Sequence, residues 1–158
     1  MSKKVLTTGM IILWTTGGFT QVANAQRVSQ IFENVTIQYP FSPDPLTVRG
    51  MSGGSIRGSQ IAKTETTPTG PCKGFMDEQP DHTLELLSKF EYLKLVVNSP
   101  ADTTMIIKGP GGTWCNDDFD DKNPGVVGEW LPGTYQIWIG SYKENDSLPY
   151  TLKIMGAK

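Results

Sequence analysis

From His82 to the end of the chain, apolar and polar side chains alternate with a period of two. That period constrains the fold more than any other feature, because successive side chains of a strand face opposite sides of a sheet whereas a helix repeats every 3.6 residues. Over 82–87, Leu84 and Leu86 fall on one side, Thr83 and Glu85 on the other. Over 91–98, Leu93, Leu95 and Val97 oppose Tyr92, Lys94 and Val96. Residues 102–108 are rich in β-branched side chains, which suit a pleated surface. Tyr135, Ile137 and Ile139 oppose Thr134, Gln136 and Trp138 over 133–140, and Tyr150, Leu152 and Ile154 form a last apolar row over 148–155. Short strands punctuated by turns predict an all-β, antiparallel, jelly-roll-like β-sandwich.

The punctuation is equally legible. Asn98-Ser99-Pro100, Gly109-Pro110-Gly111-Gly112, Asn123-Pro124-Gly125 and Pro132-Gly133 combine a fixed φ with a permissive glycine or a side chain that caps its own backbone. The first half is less regular. Val35 and Ile37 suggest a first strand, after a short helical spacing at Val28, Ile31 and Phe32. Residues 46–51 read as another strand, and 63–71, with four threonines and two prolines, as an exposed loop. No segment after residue 40 carries a helical apolar stripe of useful length.

The N-terminus has Lys3 and Lys4, an uncharged apolar run from Val5 to about Phe19, and then Ala23-Asn24-Ala25. This is the pattern of a cleavable secretory signal peptide, with the cut expected between Ala25 and Gln26. The run is broken by threonines and glycines and falls short of the roughly 20 apolar residues of a membrane span. The predicted organisation is a signal peptide over 1–25, an N-terminal extension with a candidate first strand over 26–45, and a sandwich domain over 46–158. Both leader lysines leave with the signal, so the exported part carries 12 basic and 16 acidic side chains. Nucleic acid is therefore not an expected partner, since it requires a clustered positive surface. Cys72 and Cys115 are the two cysteines of the chain. In an oxidising compartment they are expected to form a disulfide, which for a loop of about 40 residues contributes on the order of 4 kcal/mol in the chain-entropy model.

Several pieces of the second half occur in a recognisable order: residues 102–107, Gly109-Pro110-Gly111-Gly112, Asn116-Asp117-Asp118, Asn123-Pro124, Leu131-Pro132-Gly133-Thr134-Tyr135 and 150–154. In this the chain resembles the bacterial pre-peptidase C-terminal domain, a β-sandwich often appended to secreted proteases. The resemblance covers about half of the chain. It implies a jelly-roll-like sandwich and a role in binding, secretion or localisation rather than peptide hydrolysis. The module is expected to act without a fused protease domain.

Three groups of residues are candidates for chemistry. Residues 116–123 hold four carboxylates and two amides, and Asn116, Asp117, Asp118, Asp120 and Asp121 offer the oxygen ligands that Ca2+ prefers. Counted from Asn116, however, the sixth position is Asp121 and the twelfth Val127, where an EF-hand has glycine and glutamate. The competing reading is turn-building by side chains that bond nearby backbone amides. A second group is aromatic: Trp114, Trp138 and Tyr142 are the expected ligand-binding side chains, with Trp114 and Trp130 alternatively core. Trp138 is out of phase with Tyr135, Ile137 and Ile139, which puts it on the opposite face of its strand. The third candidate is His82, the single histidine, which follows Asp81 but has no Gly-x-Ser-x-Gly elbow or His/Cys signature to accompany it.

The resulting expectation is a non-catalytic secreted or periplasmic binding module, its partner an envelope or extracellular protein, peptide or carbohydrate. A calcium-dependent structural subunit of the envelope and a small secreted hydrolase are the alternatives.

Overall fold

A computed structural model describes residues 32–156. The signal peptide and its expected cut, together with Val28 and Ile31, lie outside the described residues. The strands are β1 Val35–Ile37, β2 Leu46–Met51, β3 Ile56–Arg57, β4 Thr66–Thr67, β5 Gly70–Pro71, β6 Phe75–Met76, β7 His82–Leu86, β8 Phe90–Asn98, β9 Thr103–Gly109, β10 Gly112–Asn116, β11 Gly125–Trp130, β12 Gly133–Ser141 and β13 Pro149–Met155. One short helix, α1 Gly58–Ala62, follows β3.

Two sheets face each other. The smaller has the order β11-β8-β13-β2 and is antiparallel throughout. The larger is seven-stranded and organised about β12. On one side of β12 lies β9, with β10 beyond it at the edge. The other side is shared: β7 pairs from Gly133↔Leu86 to Ile137↔His82, and β6 takes over at Ser141↔Phe75. β1 adds to β7 in parallel, a local exception to the expected antiparallel pattern.

The core between the sheets is built from the predicted apolar rows. Leu84 and Leu86 of β7, Tyr135, Ile137 and Ile139 of β12, and Met105 and Ile107 of β9 meet Leu93, Leu95 and Val97 of β8 and Tyr150, Leu152 and Ile154 of β13. Burying an aliphatic side chain of this kind contributes about 1.5–3 kcal/mol, so the sandwich rests mainly on these rows.

The larger sheet is also covered on its outer face, which periodicity alone does not reveal. Residues 52–76 fold across it and bury a second cluster comprising Ala62, Cys72, Met76, Ile106, Cys115 and Trp138, with Ile61 packed alongside. This cover changes one expectation and leaves another standing. Residues 63–71 contain the β4–β5 hairpin, and Thr67 and Thr69 bond the main chain of Cys115 from outside: its N–H donates to Thr67 Oγ1 at 3.0 Å and its carbonyl accepts from Thr69 Oγ1 at 2.9 Å. The helix α1 is too short to show an apolar stripe; Lys108 Nζ donates to its Ile61 carbonyl at 2.6 Å. The cover is locked by the Cys72–Cys115 disulfide, with Cα atoms 5.0 Å apart, as the cysteine count predicted.

Candidate functional site

Trp114 and Cys115 are neighbours on the edge strand β10 and so face opposite ways. Cys115 points outward to its disulfide, and Trp114 packs against the inter-sheet core. There it stacks on Trp130, at the end of β11, with ring centroids 5.9 Å apart and 25° between planes. Tyr135 of β12 closes the group, 4.9 Å from Trp130 and 6.1 Å from Trp114. Such pairs contribute about 0.5–1.5 kcal/mol beyond the area they bury, which fixes the rings as a rigid unit.

Two polar tips of this unit are spent internally. Trp130 Nε1 donates to the Leu93 carbonyl at 3.0 Å, and Tyr135 Oη donates to the Leu131 carbonyl at 2.9 Å. Burial raises the Tyr135 pKa above its ordinary value, so the phenol stays a donor. In front of the rings opens a cleft of about 290 Å3 between the free edges of the two sheets. The Pro110-Gly111 turn and residues Val126 to Leu131 form its walls. Trp130 and Tyr135 are buried, but Trp114 is only partly covered and Leu131 is 47% exposed. Gly128 also lines the cleft, and a Cβ built on it meets no atom within 4 Å, so the space beside it is open.

The three aromatics expected as ligand-binding side chains lie in three different places. Trp114 fronts the cleft. Trp138 does sit on the face of β12 opposite Tyr135, but that face is covered, and Trp138 is 5% exposed among the second cluster. Tyr142 is 41% exposed and lines a separate hollow of about 270 Å3 with Arg57, Lys73 and Phe75; the Lys73 Nζ lies 5.5 Å from its ring centre. Trp130 and Tyr135 complete the Trp114 unit. The pairing of β10 with β9 and of β9 with β12 brings Trp114 near Tyr135, and the packing of the two sheets brings Trp130 of β11 onto both, so no spacing along the chain signals the group.

The aspartate loop is engaged in its own folding. Asn116 Nδ2 donates to the Thr69 carbonyl at 2.9 Å, and its Oδ1 accepts the Gly125 N–H at 3.0 Å. Asp117 is buried, 3.5 Å from Lys73 Nζ. Asp118, Asp120 and Asp121 are exposed, and Asp120 bridges to Asn123 across a turn in which Asp121 has φ 57°. Asn123 is buried and bonds Thr103 Oγ1 and the Ser99 carbonyl. Among the described residues no three or more of His, Cys, Asp and Glu gather as a set able to hold a metal ion.

His82 is buried at 2% exposure on the inner face of β7. Its Nδ1 lies 2.9 Å from the Glu33 carbonyl and its Nε2 2.9 Å from Tyr150 Oη. A carbonyl only accepts, so Nδ1 carries the hydrogen and Nε2 accepts from the tyrosine. The pair therefore ties β7 of one sheet to β13 of the other. Tyr150 stands over Gly50, its partner in β2, where any Cβ would collide with the phenol ring. Burial pushes the His82 pKa down, partly offset by the Glu33 carbonyl, and pushes that of Tyr150 up. Asp81 has another task. β7 stops pairing at Ile137 and β6 starts at Ser141, so Ile139 has no strand partner on that side. The Asp81 carboxylate accepts the Ile139 N–H at 2.6 Å, and Gly53 N–H donates to its carbonyl at 3.3 Å. Burial is the main cause that raises the Asp81 pKa to about 7.

These features define an all-β sandwich with a covered outer face and an aromatic cleft at one open side. No family model matches the chain. It is 31% identical over 111 residues to an uncharacterized protein of the cyanobacterium Synechococcus elongatus, an alignment spanning 70% of this chain and 75% of that one. The chain belongs to the family of that cyanobacterial protein. Among solved structures, the pre-peptidase C-terminal domain of a Bacillus anthracis collagenase is similar at TM-score 0.47 and 13% identity, covering 77% of this chain and 94% of that one. This is the type of domain that the sequence resembles. A periplasmic inhibitor of g-type lysozyme from Aeromonas hydrophila is similar at TM-score 0.38 and 13% identity, covering 78% and 96%. No helix among the described residues is long and apolar enough to cross a membrane.

Proposed function

We propose that the protein is a non-catalytic binding module of the periplasm or secreted fraction, and that the Trp114–Trp130–Tyr135 cleft is its binding surface. The observation that carries this reading is the cleft itself: a preorganised aromatic wall, held by internal hydrogen bonds and left open beside Gly128. Ordered apolar surfaces with a concave shape are where ligands bind at least entropic cost. Export is supported by the basic-then-apolar N-terminus and by a buried disulfide, which persists in oxidising compartments. The non-catalytic reading is supported by His82, whose two ring nitrogens are both engaged away from solvent. A general base needs a free nitrogen within reach of its substrate.

The test is retention of envelope components, and of arrayed peptides and glycans, by the protein lacking residues 1–25. Wild type is compared with Trp114→Ala and Gly128→Leu, both checked for an unchanged fold by circular dichroism. Loss of the retained ligand in both variants is expected. Equal retention by all three proteins places binding elsewhere and refutes the reading.

A further inference from the structure

The cleft runs along a strand with an open side: among the described residues β11 pairs with β8 and is otherwise the outer member of its sheet, with its Gly125 N–H on that side held by Asn116 Oδ1. An unpaired edge presents main-chain donors and acceptors to any extended chain laid beside it. The side-chain chemistry in the cleft points the same way. The Trp130 N–H, the Tyr135 O–H and the Thr69 O–H all donate to carbonyls of the protein itself. A ligand rich in hydroxyls, such as an oligosaccharide, would find few partners there, whereas an apolar side chain needs none. The volume of about 290 Å3 suits one such side chain rather than a folded surface. Charge fixes the rest: at the Trp130 end, Glu129 and Glu91 both pair with the single ammonium of Lys89, at 3.0 and 2.9 Å, leaving the rim one negative charge in excess. Lys94 stands opposite Val127, nearer the other end of the strand, with its ammonium 4.9 Å from the Phe119 ring.

We infer that β11 takes up an extended peptide as an added strand, with one large apolar side chain of the peptide in the cleft and a basic residue beside Glu129. This rests on the cleft being the binding surface and names the class of partner: a basic, apolar segment of another protein in extended form. Where the register shifts between Gly128 and Trp130, the extra residue is on β8, opposite Glu129, so the outer edge of β11 runs on to Glu129; at its start the Gly125 N–H is already held by Asn116 Oδ1, so the peptide contact is short.

The probes are a capped valine-lysine-leucine-lysine-valine peptide, whose lysines face away from the leucine in a strand, the same peptide with glutamate for lysine, the same peptide N-methylated at both lysines, and a chito-oligosaccharide. Each is titrated to millimolar concentration into the 15N-labelled protein lacking residues 1–25. The basic peptide is expected to shift the amides of Val127 to Glu129 and the Trp114 indole. The acidic and N-methylated peptides should bind about tenfold more weakly or worse, the latter because methylation removes edge donors. Binding should be lost in Gly128→Leu, whose amide spectrum elsewhere should be unchanged. Equal binding of the N-methylated peptide, or no shift with any peptide, overturns strand addition. Shifts at Trp114 from the oligosaccharide alone overturn the peptide inference while keeping the cleft as the binding surface. Peptide binding unaltered in a folded Gly128→Leu protein overturns both.

Discussion

Asp81→Asn should make the protein more stable above neutral pH and reveal an opposing titration in His82. The Asp81 carboxyl is 7% exposed, fills the gap between β7 and β6, and has its pKa raised from 3.8 to about 7. A carboxyl with a raised folded-state pKa holds its proton in the folded state after the unfolded chain has lost it. Its contribution is therefore complete below pH 3.8 and declines as pH rises through about 7. At 1.36 kcal/mol per pH unit, the decline amounts to at most about 4 kcal/mol. His82 works in the other direction. Its folded-state pKa lies below 6.5, so the unfolded chain takes up a proton first and stability falls as pH drops below 6.5. In the wild type the two slopes oppose each other between the lowered His82 pKa and 6.5, and the Asp81 decline stands alone from there to about 7. Asparagine keeps an oxygen for the Ile139 N–H and cannot ionise. The variant should match the wild type near pH 4, gain stability up to 6.5 through His82, and exceed the wild type at pH 8 by up to about 4 kcal/mol. Urea unfolding followed by tryptophan fluorescence from pH 4 to 8.5 measures the difference directly. A difference independent of pH, or an asparagine variant less stable than wild type at pH 8, would refute the reasoning.

Reduction of Cys72–Cys115, or replacement of both by alanine, should lower stability by about 4 kcal/mol for a closed loop of 43 residues, read as a shift in urea midpoint with and without reductant. Tyr150→Phe leaves the buried His82 Nε2 without its donor and should cost about 1–3 kcal/mol in the same assay. Trp138→Ala should cost about 3–5 kcal/mol because it empties the covered cluster, yet leave ligand retention intact, whereas Trp114→Ala should lose retention. A Trp138 variant that stays fully stable but loses the ligand would reverse the two assignments.

The sequence by itself determined the sandwich. The rows Leu84/Leu86, Leu93/Leu95/Val97, Tyr135/Ile137/Ile139 and Tyr150/Leu152/Ile154 are the inner faces of β7, β8, β12 and β13, because a period of two is a local property that burial on one face writes into the chain. The disulfide was legible for a similar reason, since two cysteines permit one intramolecular pairing. Only the tertiary structure decided what covers the outer face of β12. Trp138 obeys the alternation, but alternation separates faces without saying which meet solvent, and the covering residues 52–76 have no periodicity of their own. The cleft was divided in the same way between what is local and what is not. Trp114 was one of the aromatics expected either to bind a ligand or to join the core, but Trp130 and Tyr135, 16 and 21 positions away, meet it only through the packing of the sheets, and Gly128 matters only because nothing fills the space beside it. Contacts made across sheets leave no spacing in the chain to read, because side-chain packing between distant strands is fixed by their register and not by their order.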